Sequence, residues 1–339
     1  MRGVQRLLRR IQAGPARLVP IALTLVALAA GGLAVSTREA AAQWPDRSIT
    51  IIVHFAPGGS NDLLGRLIAN ELAPVLGRGV VVENRPGANG DIGVAAAARA
   101  APDGYTLLVA SGSALVNPSV AKVSYDLLKD FAPIAYLGAS PNVVLAGPSA
   151  GISTLRELVA KAKANPGKLN YGTPGVGSTP HLAMELLKLR LGLDITHIPF
   201  NGLGPALTAV LGGQIDLTST TVAGVLSNVT SGQLKAIVQT GKQRWPEIPD
   251  TPTIEEAGVE NAASDTCQVV LAPAGTPKPI LDRLTAEIEK IMAKDDVRQR
   301  MFAAGFAVRF EGQEKTREIM AREIQTYKDV AEKAHIRRN

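Results

Sequence analysis

The residues best placed to do chemistry are Ala56-Pro57-Gly58-Gly59-Ser60-Asn61, which follow the apolar run 49–55 and lead into an amphipathic helix. A strand that turns through glycines into a helix aims unpaired helix N–H groups beyond the strand end, where they can receive an anion. No glycine-spaced lysine follows and no G-x-G-x-x-G occurs, so a small carboxylate fits better than a nucleotide phosphate. Gly58 and Gly59 also serve as a plain turn, and Ser60 and Asn61 are good N-caps with or without a ligand. Asp62 would repel an anion if it pointed inward and is read as a loop brace.

Other candidates sit after later strands. Ser111-Gly112-Ser113 follows a strand expected at 105–110 and reads either as a polar turn or as hydroxyls lining a cleft. A second glycine-rich loop, 172–180, opens a helix expected at 181–191. Its Gly177, Ser178 and Thr179 suit either a helix cap or a carboxylate clamp, since a hydroxyl can donate or accept. Phe200 and Asn201, at the next strand end, could close a pocket wall. His181 stands near a helix start, where an imidazolium is unfavourable, and is read as structural. His54, His197 and His335 are scattered singly and suggest no metal site, and no cofactor motif is present. Cys267 is the sole cysteine, which rules out an intramolecular disulfide and a cysteine metal cluster; it reads as a small buried filler.

Charge has to be judged without the first 42 residues. Arg2, Arg6, Arg9, Arg10 and Arg17 form a basic head, residues 18–35 carry no charge, and Ala40-Ala41-Ala42 supplies a small-residue cleavage site, together a secretory signal. A membrane anchor is the competing reading, which Pro20 and Gly31-Gly32 weaken. Of 36 basic and 30 acidic residues, this leader holds six arginines and Glu39, which leaves the remainder near a net charge of +1. That near-neutrality, with few aromatics, excludes a nucleic-acid surface. No cysteine stands at the cleavage site to carry a lipid anchor, so a soluble periplasmic protein, expected to be a monomer, is the reading.

The elements must then place these loops together. Short β-branched runs alternate with helical patterns, as in parallel βαβ units. Strands are expected at 49–55, 80–83, 105–110, 169–171, 195–198, 215–217 and 234–239. Helices are expected at 62–76, 92–101, 154–165, 181–191, 205–211, 277–291 and 314–334. Strand-like segments at 143–146 and 267–271 bracket the middle block and read as two crossings between domains. The expected division is a signal peptide at 1–42, domain 1 at 43–147 plus 266–339, and domain 2 at 148–265. Both glycine-rich loops then face one interdomain cleft, where α/β proteins place ligands.

At the level of whole motifs, the chain resembles the Bug-type periplasmic solute receptors of tripartite tricarboxylate transport systems. The matching pieces are Phe55-Ala56-Pro57-Gly58-Gly59, Val81-Val82-Glu83-Asn84-Arg85-Pro86-Gly87-Ala88, Ala101-Pro102-Asp103-Gly104-Tyr105-Thr106-Leu107-Leu108 and Asp130-Phe131-Ala132-Pro133-Ile134. They continue with Asn165-Pro166-Gly167-Lys168-Leu169-Asn170-Tyr171, Thr179-Pro180-His181-Leu182, Leu211-Gly212-Gly213-Gln214-Ile215-Asp216 and Leu271-Ala272-Pro273-Ala274-Gly275-Thr276-Pro277. The resemblance implies an α/β, two-domain Venus-flytrap fold, type II-like, with a mainly parallel sheet in each domain and two crossover strands. It implies a receptor that closes on a small carboxylate, using backbone groups, hydroxyls and waters, and presents it to a membrane transporter. The chain departs from the family pattern at Ser219-Thr220-Thr221, where an aromatic followed by Asp and Asn is common, and at Cys267-Gln268-Val269, where an aromatic pair and a glycine are common. Both departures can face the cleft, so Thr220 and Thr221 join the candidate ligand contacts, and the ligand's identity is left open.

Two other functions compete. A secreted serine hydrolase could use Ser111 or Ser113 with His181, but neither serine stands in a G-x-S-x-G elbow and no orienting acid accompanies them, so no catalytic residue is assigned. An extracytoplasmic sensor would use the same closed form as a transport receptor and stays open.

Overall fold

A computed structural model describes residues 44–260, 264–333 and 336; the expected signal segment 1–42 lies outside the described residues. All elements belong to one compact unit, Arg47–Asn339. β1 (Ile49–Val53), almost wholly buried, leads into α1 (Ser60–Leu76). Leu64, Ile68, Leu72 and Leu76 recur every fourth residue and are buried, and Gly77 ends the helix in the left-handed conformation at φ 66°. Gly65 lets α1 press onto its strand, since a Cβ there would lie 2.6 Å from Val53 Cγ2. β2 (Val80–Asn84), α2 (Asp91–Ala98), β3 (Thr106–Ser111) and α3 (Gly112–Val120) follow, with β2 and β3 parallel to β1 on either side.

The longest strand, β4 (Phe131–Ala146), joins two halves of the sheet. Its alternating side chains feed different layers: Val144 and Ala146 pack with Leu158, Tyr171, Ile195 and Val238, while Val143 and Leu145 pack with Val210, Leu234 and Trp245. Each of these buried valines, leucines and isoleucines contributes about 1.5–3 kcal/mol. Then come α4 (Leu155–Ala164), β5 (Asn170–Thr173), α5 (Thr179–Leu191), β6 (Thr196–Pro199), α6 (Leu203–Leu211), β7 (Leu217–Thr221), α7 (Val222–Thr230) and β8 (Lys235–Gln239). α4 starts with a capping box: Thr154 Oγ1 accepts the Glu157 N–H at 3.2 Å, and Glu157 Oε2 accepts the Ser153 N–H at 2.7 Å. The chain ends with β9 (Asp265–Pro273), α8 (Lys278–Ala293), α9 (Asp295–Ala303), β10 (Ala307–Glu311) and α10 (Gln313–Lys333).

The strand order is β2-β1-β3-β9-β4-β7-β5-β6, with β8 and β10 also pairing β4. Each half keeps a parallel core, β2-β1-β3 in one and β6-β5-β7 in the other. β4 runs antiparallel to β9 up to Pro141 and antiparallel to β7 and β8 from Asn142 on. The segment expected at 143–146 is thus the far end of a much longer strand, and the segment expected at 267–271 is the middle of β9. Among the described residues no helix is long and apolar enough to cross a membrane.

Candidate functional site

The parallel strands of both halves point their carboxyl ends at one place, and five helices begin there. The cleft is lined by Phe55, Ala56, Gly59, Ser60 and Asn61 at α1, Ser111 and Ser113 at α3, and Pro174, Thr179 and Pro180 at α5. Leu203 at α6, Thr220 and Thr221 at α7, and Thr266 on β9 complete the wall. Its empty volume is about 410 Å³, part of it open to solvent, and every lining side chain is neutral.

The helix starts are not equivalent. α5 caps itself: Ser178 Oγ accepts the His181 N–H at 3.3 Å, the Thr179 N–H donates to Ser113 Oγ at 3.2 Å, and Pro180 has no N–H. α1, α3 and α6 have no side-chain cap, while in α7 the Ala223 N–H of the first turn is taken by Ser140 Oγ. Each uncapped start carries roughly half a positive charge that does not titrate. A neutral wall with such ends can hold an anion without any lysine or arginine.

The one acid in the first turn of α1 is turned away. Burial pushes the Asp62 carboxyl up, but hydrogen bonds from Arg66, the Gly58 N–H and Asn84 outweigh that and hold it below the usual carboxylate range. Gly58 reaches this geometry at φ 87°, in the left-handed region. Behind the wall, His54 is fully buried; burial alone lowers it to about 3, so the ring is neutral. Its Nε2 accepts the Ser111 N–H at 3.1 Å and lies 3.2 Å from Ser111 Oγ. Cys267 is buried in the core, and burial first, then Glu323, raises its thiol far above the ordinary value.

The two halves meet around the cleft. Thr179 Oγ1 lies 2.5 Å from Thr266 Oγ1, the Ala223 N–H donates to Ser140 Oγ at 3.1 Å, and Gly175 abuts Asn89. Below the second glycine loop, His181 and His197, which look isolated in the sequence, stack at 4.0 Å between ring centroids, with Tyr171 alongside. The Gly177 N–H donates to His181 Nδ1 at 3.0 Å, and His197 Nε2 pairs with Thr173 Oγ1 at 2.7 Å. Burial first, then Lys188, lowers His181 to about 4; burial first, then His181, lowers His197 to about 3. Among the described residues no group of three or more His, Cys, Asp or Glu is placed to hold a metal ion.

Of the residues singled out in the sequence, Ala56, Gly59, Ser60, Asn61, Ser111, Ser113, Thr179, Thr220 and Thr221 line this cleft. The others lie off it, each for a local reason. Pro57 and Gly58 form the exposed tip of the turn. Gly112 is covered by Thr179 Cγ2 and Tyr327, and Gly177 packs on Val120. Ser178 is the buried cap of α5, Phe200 packs over Gly172 and Ile215, and Asn201 is exposed. The sequence reading missed Phe55, Pro174, Pro180, Leu203 and Thr266. Thr266 stands one residue before a flagged departure from the family pattern, the only signal that could have found it.

The chain is similar to proteins already known. The family described as the tripartite tricarboxylate transporter family receptor matches residues 64–336. Protein BugT of Bordetella pertussis is 35% identical over 290 residues, covering 85% of this chain and 89% of its own. A Rhodopseudomonas palustris protein solved with bound malate, MatC, is 33% identical with a TM-score of 0.78, covering 85% of this chain and 99% of its own. R. palustris Rpa4515, solved with adipate, is 29% identical with a TM-score of 0.84 over 87% of this chain and 99% of its own. Such neighbours are binding proteins for transport rather than enzymes, and they share the two-domain Venus-flytrap fold. The chain therefore belongs to the tripartite tricarboxylate transporter receptor family, the periplasmic solute-binding proteins that include BugT.

Proposed function

We propose that this protein captures a small carboxylate in the cleft and delivers it to the membrane components of a tripartite tricarboxylate-type transporter. The observation that carries this reading is the neutral cleft at which three uncapped helix starts and the partly capped start of α7 converge. Carboxylate ligands in two solved relatives support it. The carboxylate accepts from the first turns of α1 and α3 on one side and α7 on the other, with Ser60, Thr220 and Thr221 hydroxyls as adjustable donors. The protein works in the periplasm as a monomer after cleavage following Ala42. Its lobes are 43–147 plus 266–339 and 148–265, and they close by bending where β4 passes from one half-sheet to the other.

A thermal-shift screen against mono-, di- and tricarboxylates, amino acids and aromatic acids tests the reading, because a ligand that binds the folded form raises the melting temperature by mass action. At a hundred times Kd the expected stabilisation is about 2.7 kcal/mol. Loss of carboxylate shifts across the whole panel, with shifts only from uncharged solutes, would overturn it.

Closure itself is testable at a contact between the halves beside the cleft. A Cβ on Gly175 would lie 2.6 Å from Asn89 Oδ1, on the opposing half. Gly175→Val is expected to hold the lobes apart and weaken carboxylate binding by about tenfold, or 1.4 kcal/mol, chiefly through faster dissociation. Stopped-flow and titration calorimetry read the effect, and wild-type dissociation in the variant would rule out this contact as part of closure.

A further inference from the structure

We propose that the cleft selects a carboxylate that also carries a hydroxyl, and that Asn61, held by Gln268, reads that hydroxyl. This rests on the carboxylate reading above and adds the chemistry of the ligand's second group. Asn61 is only 2% exposed and lines the cleft in the first turn of α1. Its Nδ2 donates to Gln268 Oε1 at 3.1 Å and to the Val109 carbonyl at 3.4 Å. The reverse orientation would set Asn61 Oδ1 against that carbonyl, so the amide is fixed and what it offers the cleft is an acceptor. Gln268 is fully buried with its Nε2 unpaired, a burial penalty that leucine would avoid and that the orientation of Asn61 explains.

A second acceptor lines the same cleft. Thr266 lies two residues before Gln268 on β9 and therefore on the same face of the strand. Its hydroxyl donates to Asn142 Oδ1 at 2.9 Å, and Asn142 is oriented in turn by its Nδ2 donating to the Ser264 carbonyl at 3.0 Å. The proton between Thr179 and Thr266 must then come from Thr179, so Thr266 also meets the cleft with its own proton engaged.

These two acceptors define what fits between them. A second carboxylate there would face only lone pairs. An ammonium would find acceptors but no carboxylate among the lining side chains to balance its charge. A hydroxyl supplies the missing donor and leaves the ligand's carboxylate to the helix starts and to Ser60, Thr220 and Thr221. Gln268 belongs to one of the two segments, 219–221 and 267–269, that depart from the family pattern.

The test is titration calorimetry with acids that differ only by a hydroxyl: lactate against propionate, 3-hydroxybutyrate against butyrate, malate against succinate. In each pair that binds, the hydroxy acid is expected to bind at least about tenfold tighter. Asn61→Leu should bring the two members to within about twofold of each other, and Gln268→Leu, which frees the Asn61 amide to rotate, should reduce the preference in the same direction. Equal affinities in wild type would overturn the hydroxyl assignment and leave the carboxylate reading standing. A preference that survives both variants would overturn the role of Asn61, and binding by no acid of any pair would overturn the carboxylate reading itself.

Discussion

Gly59→Val is expected to lower carboxylate affinity at least about a hundredfold, or 2.7 kcal/mol, while the ligand-free protein melts within a few degrees of wild type. Gly59 is the N-cap of α1, in the extended region at φ −85° and ψ 172°, which any residue adopts without strain. A first side-chain carbon there finds 3.9 Å to the Ala56 carbonyl and 4.0 Å to Leu203 Cβ, so it fits. The two further methyls of valine must then enter the gap between the uncapped α1 start and α6, where the ligand is proposed to sit. Gly58 is the wrong position for this experiment, because φ 87° would mix backbone strain into the result. Calorimetric affinity and a melting curve separate the two effects. Unchanged affinity would mean that this loop is only a turn.

Stability is expected to fall by about 2–3 kcal/mol between pH 6 and pH 5 while changing little between pH 8 and pH 7. Burial holds His54 and His197 at about 3 and His181 at about 4 in the folded protein, against an ordinary value near 6.5. Below that ordinary value the unfolded chain takes up three protons that the folded chain refuses, so stability drops as the pH falls and goes on dropping until the folded values are reached. Asp265 acts in the opposite sense: burial first, then Glu323, raises its carboxyl to about 6, but the residue is exposed at the start of β9 and solvent screening reduces its share. The net difference is somewhat more than two protons, or about 3 kcal/mol per pH unit. Urea midpoints at constant m-value measure this directly. A flat profile from pH 7 to pH 5 would mean that the histidines reach solvent or a proton acceptor in the folded state.

The acid sensitivity bears on function because two of these rings lie beneath the second glycine loop. The Gly177 N–H needs the unprotonated Nδ1 of His181. Loss of that bond would loosen the loop that presents Pro174 and Thr179 to the cleft.

What the residues revealed on their own depended on how local the controlling physics was. α1 was legible because Leu64, Ile68 and Leu72 repeat at helical spacing, and the glycines before it announce a turn. The capping box of α4 was legible for the same reason, since Thr154 and Glu157 are three residues apart. α3 and α7 were not expected as helices. Their sequences, Gly-Ser-Ala-Leu-Val-Asn-Pro-Ser-Val and Val-Ala-Gly-Val-Leu-Ser-Asn-Val-Thr, are poor in helix formers, and packing overrides that preference. Ser111, which reads equally as a polar turn, and Thr221, read as a cleft contact, both occupy helix N-cap positions with their hydroxyls left uncommitted to the cap. β4 looked broken because Pro133, Gly138 and Pro141 interrupt it; the strand absorbs register shifts there against β9 and continues.

The least legible features were contacts between distant residues. Asn61 and Gln268 are 207 positions apart, and nothing in either segment signals the other. The same is true of Thr179 and Thr266, and of the stack between His181 and His197. Composition did report one property of the site, since a near-neutral chain agreed with a cleft that has no charged side chain in its wall.

The central claim is that this cleft recognises negative charge through helix starts rather than through cationic side chains. The most direct measurement takes the carboxylate that gives the largest thermal shift and compares its calorimetric affinity with that of its primary amide, the neutral isostere. The account predicts that the amide binds at least about a hundredfold more weakly, with a difference that persists at high salt because the donors are buried backbone groups. An amide that binds as tightly as the acid would contradict it.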